Sequence, residues 1–244
     1  MVDDDDKLDE RLYPEVVSRS VVETFIRDGV VVVDDVLDEG GVARALAGFE
    51  ATLRRHGVDT CDLSGSQAAL RKLSTKGGVL DLFFEPWKLE ATVSNERYAA
   101  AMTALLEATY GRNEGLWRHP YGPIDGVWAH IDRIGFRAPG RAQRALSPHL
   151  DCCPDAMHPD CRRWRPVQCL LSLAGGLGPN EGGFECLKGF HRRFDEYYAR
   201  RRSRCVGDYV AITSQDDQAL LDDFEHVRVP PGAAVFWDRR IPHA

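Results

Sequence analysis

His149 and Asp151 stand two residues apart with Leu150 between them, and His243 lies far downstream in the run Phe-Trp-Asp-Arg-Arg-Ile-Pro-His over 236–243. A β-strand repeats its side-chain direction every two residues, so on a strand His149 and Asp151 point one way and Leu150 the other. A distant imidazole added to that pair makes two nitrogens and one carboxylate on one face of a cation. That donor set leaves coordination positions open, and it is the set by which non-haem Fe(II) handles substrate and O₂. A third donor so remote along the chain requires a folded scaffold to deliver it.

The elements that must do so read as follows. Residues 15–28 place Val17, Val21, Val22, Phe25 and Ile26 at helical spacing, with Gly29 as the stop. Residues 30–33 are a short β-branched strand. Asp38 caps a helix to about Arg55, with Val42, Leu46, Phe49 and Leu53 on one face and Gly57 after it. Residues 58–92 look irregular, and 95–110 read as another helix, ended by Gly111. The pattern then turns to β: strands over 127–137, around the His149 triplet, over 166–173, 181–187, 227–229 and 233–237. A basic, helical excursion over 191–204 interrupts them. Helices first and short strands second predict a mainly β chain with N-terminal helices, an α+β arrangement built on a double-stranded β-helix or jelly roll. The expected division is one domain over 8–244, helical over 8–115 and jelly-roll over 116–244. Residues 1–7, Met-Val-Asp-Asp-Asp-Asp-Lys, read as the remnant of a protease-cleavage tag.

At 244 residues and 43% hydrophobic, the chain can bury a sizeable core. Its formal net charge of −7 includes Asp3 to Asp6, and what remains gives no argument for nucleic acid or an anionic membrane as partner. No stretch is long and apolar enough to span a bilayer, and no secretory signal opens the chain. Its seven cysteines are odd in number and form no C-x-x-C pair. The expectation is therefore no disulfide framework and a cytoplasmic protein.

Four segments in order resemble phytanoyl-CoA dioxygenase-like proteins: Phe-Ile-Arg-Asp-Gly-Val-Val-Val-Val-Asp-Asp-Val-Leu (25–37), Pro-His-Leu-Asp (148–151), Gly-Gly-Phe-Glu-Cys-Leu-Lys-Gly-Phe-His (182–191) and Pro-Gly-Ala-Ala-Val-Phe-Trp-Asp-Arg-Arg-Ile-Pro-His-Ala (231–244). The third departs from that family's "PGSH" turn. The resemblance implies a double-stranded β-helix that uses Fe(II) with 2-oxoglutarate and O₂ to hydroxylate a small organic molecule, with His149, Asp151 and His243 as iron ligands. A carboxylate at 151 implies hydroxylation or another oxidation, because the related iron halogenases carry a small residue there. The family places a basic anchor for the co-substrate carboxylate shortly after the distal histidine. This sequence reaches only Ala244, which suggests truncation and makes 2-oxoglutarate the less supported of the two cofactors. A non-catalytic jelly-roll binding protein is the alternative, and a cupin-like isomerase or hydrolase a third.

Other residues carry weaker signals. Gln168, a polar amide among Val167, Cys169, Leu170 and Leu171, either faces solvent or points inward to bind a ligand. Trp237 and Phe236 precede the distal histidine and suit a core; Trp237, Gln168 and Arg133 are the co-substrate-binding candidates. Trp128, His130 and Arg137 flank Arg133 on the same strand, and His130 suits a structural role. Lys188 and Arg193 could meet an acidic group. Cys152, Cys153, His158 and Cys161 form a rival, irregularly spaced zinc set. Arg192, Arg193, Arg200, Arg201, Arg202 and Arg204 form either a solvated helix face, partly paired by Asp195 and Glu196, or a patch for an acidic carrier such as a CoA phosphate.

Overall fold

The computed structural model describes residues 17–74, 78–107, 109, 131–137, 146–153, 167–175, 177–178, 181–199, 205–207, 209–212 and 214–244. Ser18 opens α1 (Arg19–Asp28): its backbone is extended and its side chain accepts from the Val21 N–H. Gly29 closes it in the left-handed conformation and donates its N–H to the Phe25 carbonyl. The chain passes directly into β1 (Val30–Val33). Asp38 then caps α2 (Glu39–Arg55), accepting from the Gly41 N–H at 2.6 Å.

The stretch over 58–92 is more regular than its sequence suggests. It holds α3 (Gln67–Lys72), β2 (Val79–Leu80) and α4 (Pro86–Ala91), each too short to display a period. Pro86 starts α4, where its missing N–H and fixed φ cost nothing. Asn95 caps α5 (Glu96–Leu106). The strand expected over 127–137 is, among the described residues, only β3 (Ile134–Gly135), paired with β2.

Then follow β4 (His149–Leu150), β5 (Val167–Leu171), β6 (Phe184–Cys186), a 3-10 turn (Phe190–Arg193), α6 (Phe194–Ala199), β7 (Val210–Ala211), α7 (Ser214–Leu221), β8 (Glu225–Val227) and β9 (Ala234–Asp238). Helix and strand are thus mixed throughout rather than segregated. All strand pairings are antiparallel. One sheet has the order β1-β9-β5, so a strand from the first helical part is built into the same sheet as the last strand.

Register explains how the layers form. In β9, Val235 and Trp237 face one way and join Val30, Leu150, Cys152, Phe184, Cys186 and Val210 in one core. Ala234 and Phe236 face the other way and pack with Val22, Phe25, Ala101 and Leu105 of α1 and α5. The β1-β9-β5 sheet therefore has α1 and α5 on one face and β4, β6, β7 and β8 on the other, and β9 is buried along its whole length.

Cys153 and Cys205 form a disulfide, with Cα atoms 5.5 Å apart. That corrects the expectation drawn from cysteine number. The pairing of β4 with β7 brings the flanks of both strands together, which no local spacing reveals. Cys61, Cys152, Cys169 and Cys186 are free, and Cys161 lies outside the described residues. No helix among the described residues is long and apolar enough to cross a membrane.

Candidate metal centre

The segment carrying His243 lies between β4 and β6. His149 and His243 donate their backbone N–H groups to each other's carbonyls, both at 2.9 Å. On its other side the segment bonds Glu185 through Ala244, and Leu187 donates to the Pro242 carbonyl at 3.0 Å. Residues 242–244 thereby link the β4–β7 pair to the β6–β8 pair. The turn that delivers them from β9 is held by Asp238, which is buried. Burial would raise its carboxyl, but the Arg240 guanidinium, bonded to both carboxylate oxygens at 2.8 and 2.7 Å, holds it below the usual range.

Hydrogen-bonded partners on antiparallel strands project their side chains to the same face. The two imidazoles accordingly lie side by side, with ring centroids 4.5 Å apart. β4 ends at Leu150, so Asp151 lies in a bend rather than on the strand expected for it. The carboxylate nevertheless returns to the same side: Oδ1 is 3.4 Å from His149 Nε2, and Oδ2 is 3.6 Å from His243 Nε2. The donor atoms of these three residues all lie within 4.8 Å of one another, an arrangement that could hold a metal ion.

The ring orientations follow from hydrogen bonding. His149 Nδ1 lies 2.7 Å from the Ser147 carbonyl, and His243 Nδ1 lies 2.9 Å from the Ile241 carbonyl. A carbonyl only accepts, so each Nδ1 carries the hydrogen, and in the neutral ring each Nε2 presents its lone pair. Two such lone pairs and a carboxylate facing one point repel one another unless positive charge lies among them. A proton on a ring or a metal cation meets that need, and backbone carbonyls that fix Nδ1–H are the usual support for metal-binding histidines. The donor set thus fits a divalent transition metal.

Asp151 shows the same balance. Burial would raise its carboxyl, but the Gln168 amide and the adjacent His149 and His243 rings, wherever one of them is protonated, outweigh that and hold it well below the ordinary carboxylate range. Its carbonyl accepts from Arg239 Nε at 2.9 Å, and the neighbouring Cys152 thiol donates to the Arg239 carbonyl at 3.4 Å. Burial pushes that thiol up to about 12, so it stays protonated.

Gln168 pairs with Trp237 across β5 and β9 and faces inward, where Nε2 donates to Asp151 Oδ2 at 3.0 Å. An ionised carboxylate only accepts, so the amide orientation is fixed and Oε1 points elsewhere; it is buried without a hydrogen-bond partner, as is Trp237 Nε1. Trp237 lies 5.2 Å from His243 and 4.6 Å from Phe184, ring centre to ring centre, and Phe184 stacks on His243. On the opposite side Tyr209 stacks on His149 at 5.0 Å. Partial burial and then the charge of Asp151 raise its phenol. The site is open at Asp151, whose side chain is 37% exposed, against 12% for His149 and 7% for His243.

The structure does not bring Arg133 into contact with the three. Its guanidinium pairs with Asp81 at 2.6 Å, more weakly with Asp132, and lies over the Phe83 ring. Phe236 faces the helices. Lys188 pairs with Glu225, and Arg193 lies over Phe190. The rival zinc set loses Cys153 to the disulfide, and its members His158 and Cys161 lie outside the described residues, as do Trp128, His130, Arg200, Arg201, Arg202 and Arg204. Sequence reasoning missed Tyr209 and Phe184. The run Tyr209-Val210-Ala211-Ile212 carries a short β signal that could have drawn attention to the first.

No family model matches the chain. It is 27% identical over 132 residues to the Ava biosynthesis cluster protein O of Aspergillus versicolor, covering 49% of this chain and 41% of that one. Among solved structures it is similar to the hypothetical protein JW0805 of Escherichia coli (TM-score 0.67, 15% identity, 93% of this chain and 64% of that one). It is also similar to GlcNAc inducible gene 2, GIG2 (DUF1479), of Candida albicans (TM-score 0.63, 16% identity, 95% and 60%). At these identities the likeness is one of fold. The chain spans less than two thirds of the length of each of these proteins.

Proposed function

We propose that this chain is the core of a non-haem Fe(II), 2-oxoglutarate-dependent oxygenase of the phytanoyl-CoA dioxygenase-like kind, acting on a small organic molecule, and that the β1-β9-β5 sheet and the β4–β7 and β6–β8 pairs facing it form a jelly roll. The observation that carries the reading is the convergence of His149 Nε2, His243 Nε2 and the Asp151 carboxylate on one point, with both Nδ1–H groups committed to carbonyls. These three residues would hold the iron. When bound there, iron supplies the one-electron and O₂ chemistry that no amino-acid side chain offers.

The chain's own residues have definite tasks. Asp151 is held in its charged form by the Gln168 amide and by positive charge lodged between the two imidazoles. Gln168 fixes the carboxylate by a single N–H bond, and its free oxygen is an acceptor. A co-substrate carboxylate would be repelled by that oxygen, so Gln168 would meet the co-substrate only through a donor group on it. Phe184 and Trp237 close the inner flank against water. The Asp151 side chain is the most exposed of the three donors and makes this flank the one that faces solvent.

The test is oxygen uptake by the protein supplied with Fe(II), 2-oxoglutarate and candidate substrates, with succinate measured alongside. Uptake and succinate that disappear in His149→Ala are expected. Tight metal binding without either product would favour the alternative, a metal-binding jelly roll that does not use the co-substrate.

A further inference from the structure

Tyr209 reaches His149 from a strand that has little to hold it. β7 and β4 share only two residue pairs, His149 with Ala211 and Leu150 with Val210, extended by one bond from the Ile212 N–H to the Pro148 carbonyl. So short a ladder is weak on its own. Two further features secure it. Val206 and Tyr209 exchange backbone hydrogen bonds at 2.9 and 3.2 Å, which makes the chain turn back on itself at these two residues. Cys205, next to that turn, is bonded to Cys153, two residues beyond Asp151. The chain that leaves the metal donors and the chain that enters the tyrosine turn are therefore joined covalently. Cys153 is buried, whereas Tyr209 is 37% exposed and so lacks the packing that would fix its ring without the turn.

We propose that Tyr209 is a positioning residue for His149, and that the Cys153–Cys205 bond is the tie that keeps it stacked there, so that the affinity of the centre for its cation depends on the redox state of this cysteine pair. The inference rests on the metal-site reading above. His243 has a rigid backing of its own in Phe184 and Trp237 and a place between two strands. His149 has its Nδ1 bond to Ser147 and this one aromatic face on the side away from His243. Reduction by a dithiol opens the bond to two thiols, the two electrons and two protons coming from the reductant, which becomes a disulfide. The turn then loses its covalent anchor, and the His149 ring samples orientations that do not face Asp151. Loss of an outer partner of a metal-binding histidine weakens metal affinity by about 10–100-fold.

The experiment measures the dissociation constant of Mn(II) by calorimetry on the full chain. It compares the air-oxidised protein, Cys153→Ser/Cys205→Ser, Tyr209→Ala, Tyr209→Phe and the triple variant Cys153→Ser/Cys205→Ser/Tyr209→Ala. Circular dichroism checks that each is folded, and a thiol count of the oxidised protein checks the bond. The expected result is about tenfold weaker binding in the double-serine and Tyr209→Ala proteins, affinity kept in Tyr209→Phe, and no further loss in the triple variant, since both changes break one clasp. Folded double-serine and Tyr209→Ala proteins that bind Mn(II) as tightly as the parent would overturn the proposal while leaving the metal site intact, and so would free thiols at both positions after oxidation. A parent protein that binds no Mn(II) would overturn the metal-site reading itself and this inference with it. Should the serine pair fail to fold, the oxidised protein and its desalted, phosphine-reduced form are compared directly, and equal affinities decide against the tie.

Discussion

His149 and His243 exchange both of their backbone hydrogen bonds, each at 2.9 Å, so two residues remote in sequence are direct partners in an antiparallel bridge. That single pairing puts two imidazoles on one face, and a local bond ties Nδ1 of each to a carbonyl two residues back. Asp151 completes the group from the bend just after β4.

The first prediction concerns the three donors. Alanine at His149, Asp151 or His243 should weaken Mn(II) binding by at least about 100-fold, beyond the usual effect of an outer partner. Metal at 100 times its dissociation constant should stabilise the parent by about 2.7 kcal/mol. Thermal unfolding with and without Mn(II) reads both effects, and the metal-induced shift should vanish in each variant.

Gln168→Leu keeps the side-chain volume but deletes the amide that fixes Asp151 Oδ2. It should weaken Mn(II) binding about tenfold. It also removes the buried, unpartnered Oε1, so urea unfolding of the metal-free protein should show little loss of stability.

His191 gives a pH prediction. It packs against Gly29, beside Ile241, and its Nε2–H donates to the Ile26 carbonyl at 3.0 Å, with Nδ1 buried and unpartnered among the described residues. Burial lowers its folded-state pKa below the ordinary 6.5. The unfolded chain therefore binds more protons just below pH 6.5, and the contribution of the neutral ring is complete above that value and lost as pH falls through the lowered one. Urea midpoints should drop as pH falls from 7.5 to below 6.5 in the parent, and more gently in His191→Asn.

Gly232 stands in the turn before β9 at φ +86°, and a Cβ there would lie 2.5 Å from the Leu37 carbonyl oxygen. Gly232→Ala should cost about 1–3 kcal/mol from backbone strain alone. Chemical denaturation at neutral pH checks it; an unchanged midpoint would show that the turn tolerates a side chain.

The amino-acid sequence made some of this legible and hid the rest for physical reasons. Caps announce themselves: Asp38 before α2 and Gly29 after α1 are local devices, and both boundaries are where the residues place them. The H-x-D spacing and the distal histidine were readable because the chemistry restricts the residue types, even though Asp151 proved to sit beyond the strand. The inward direction of Gln168 was not readable, because it depends on register with Trp237. Neither was the Cys153–Cys205 bond, nor Tyr209, since both depend on the β4–β7 pairing. α3 and α4 escaped notice because six residues span less than two helical turns.

β1 and β9 are adjacent strands although they come from opposite parts of the chain, with Val30 opposite Trp237 and Val33 opposite Ala234. Pairings of such long range form slowly, because the intervening polypeptide must be closed into a loop first. During synthesis, a nascent chain that has emerged as far as Asp151 has neither β9 nor His243. On the proposed metal reading, cation capture waits until the segment through His243 has been made and β9 has zipped against β1.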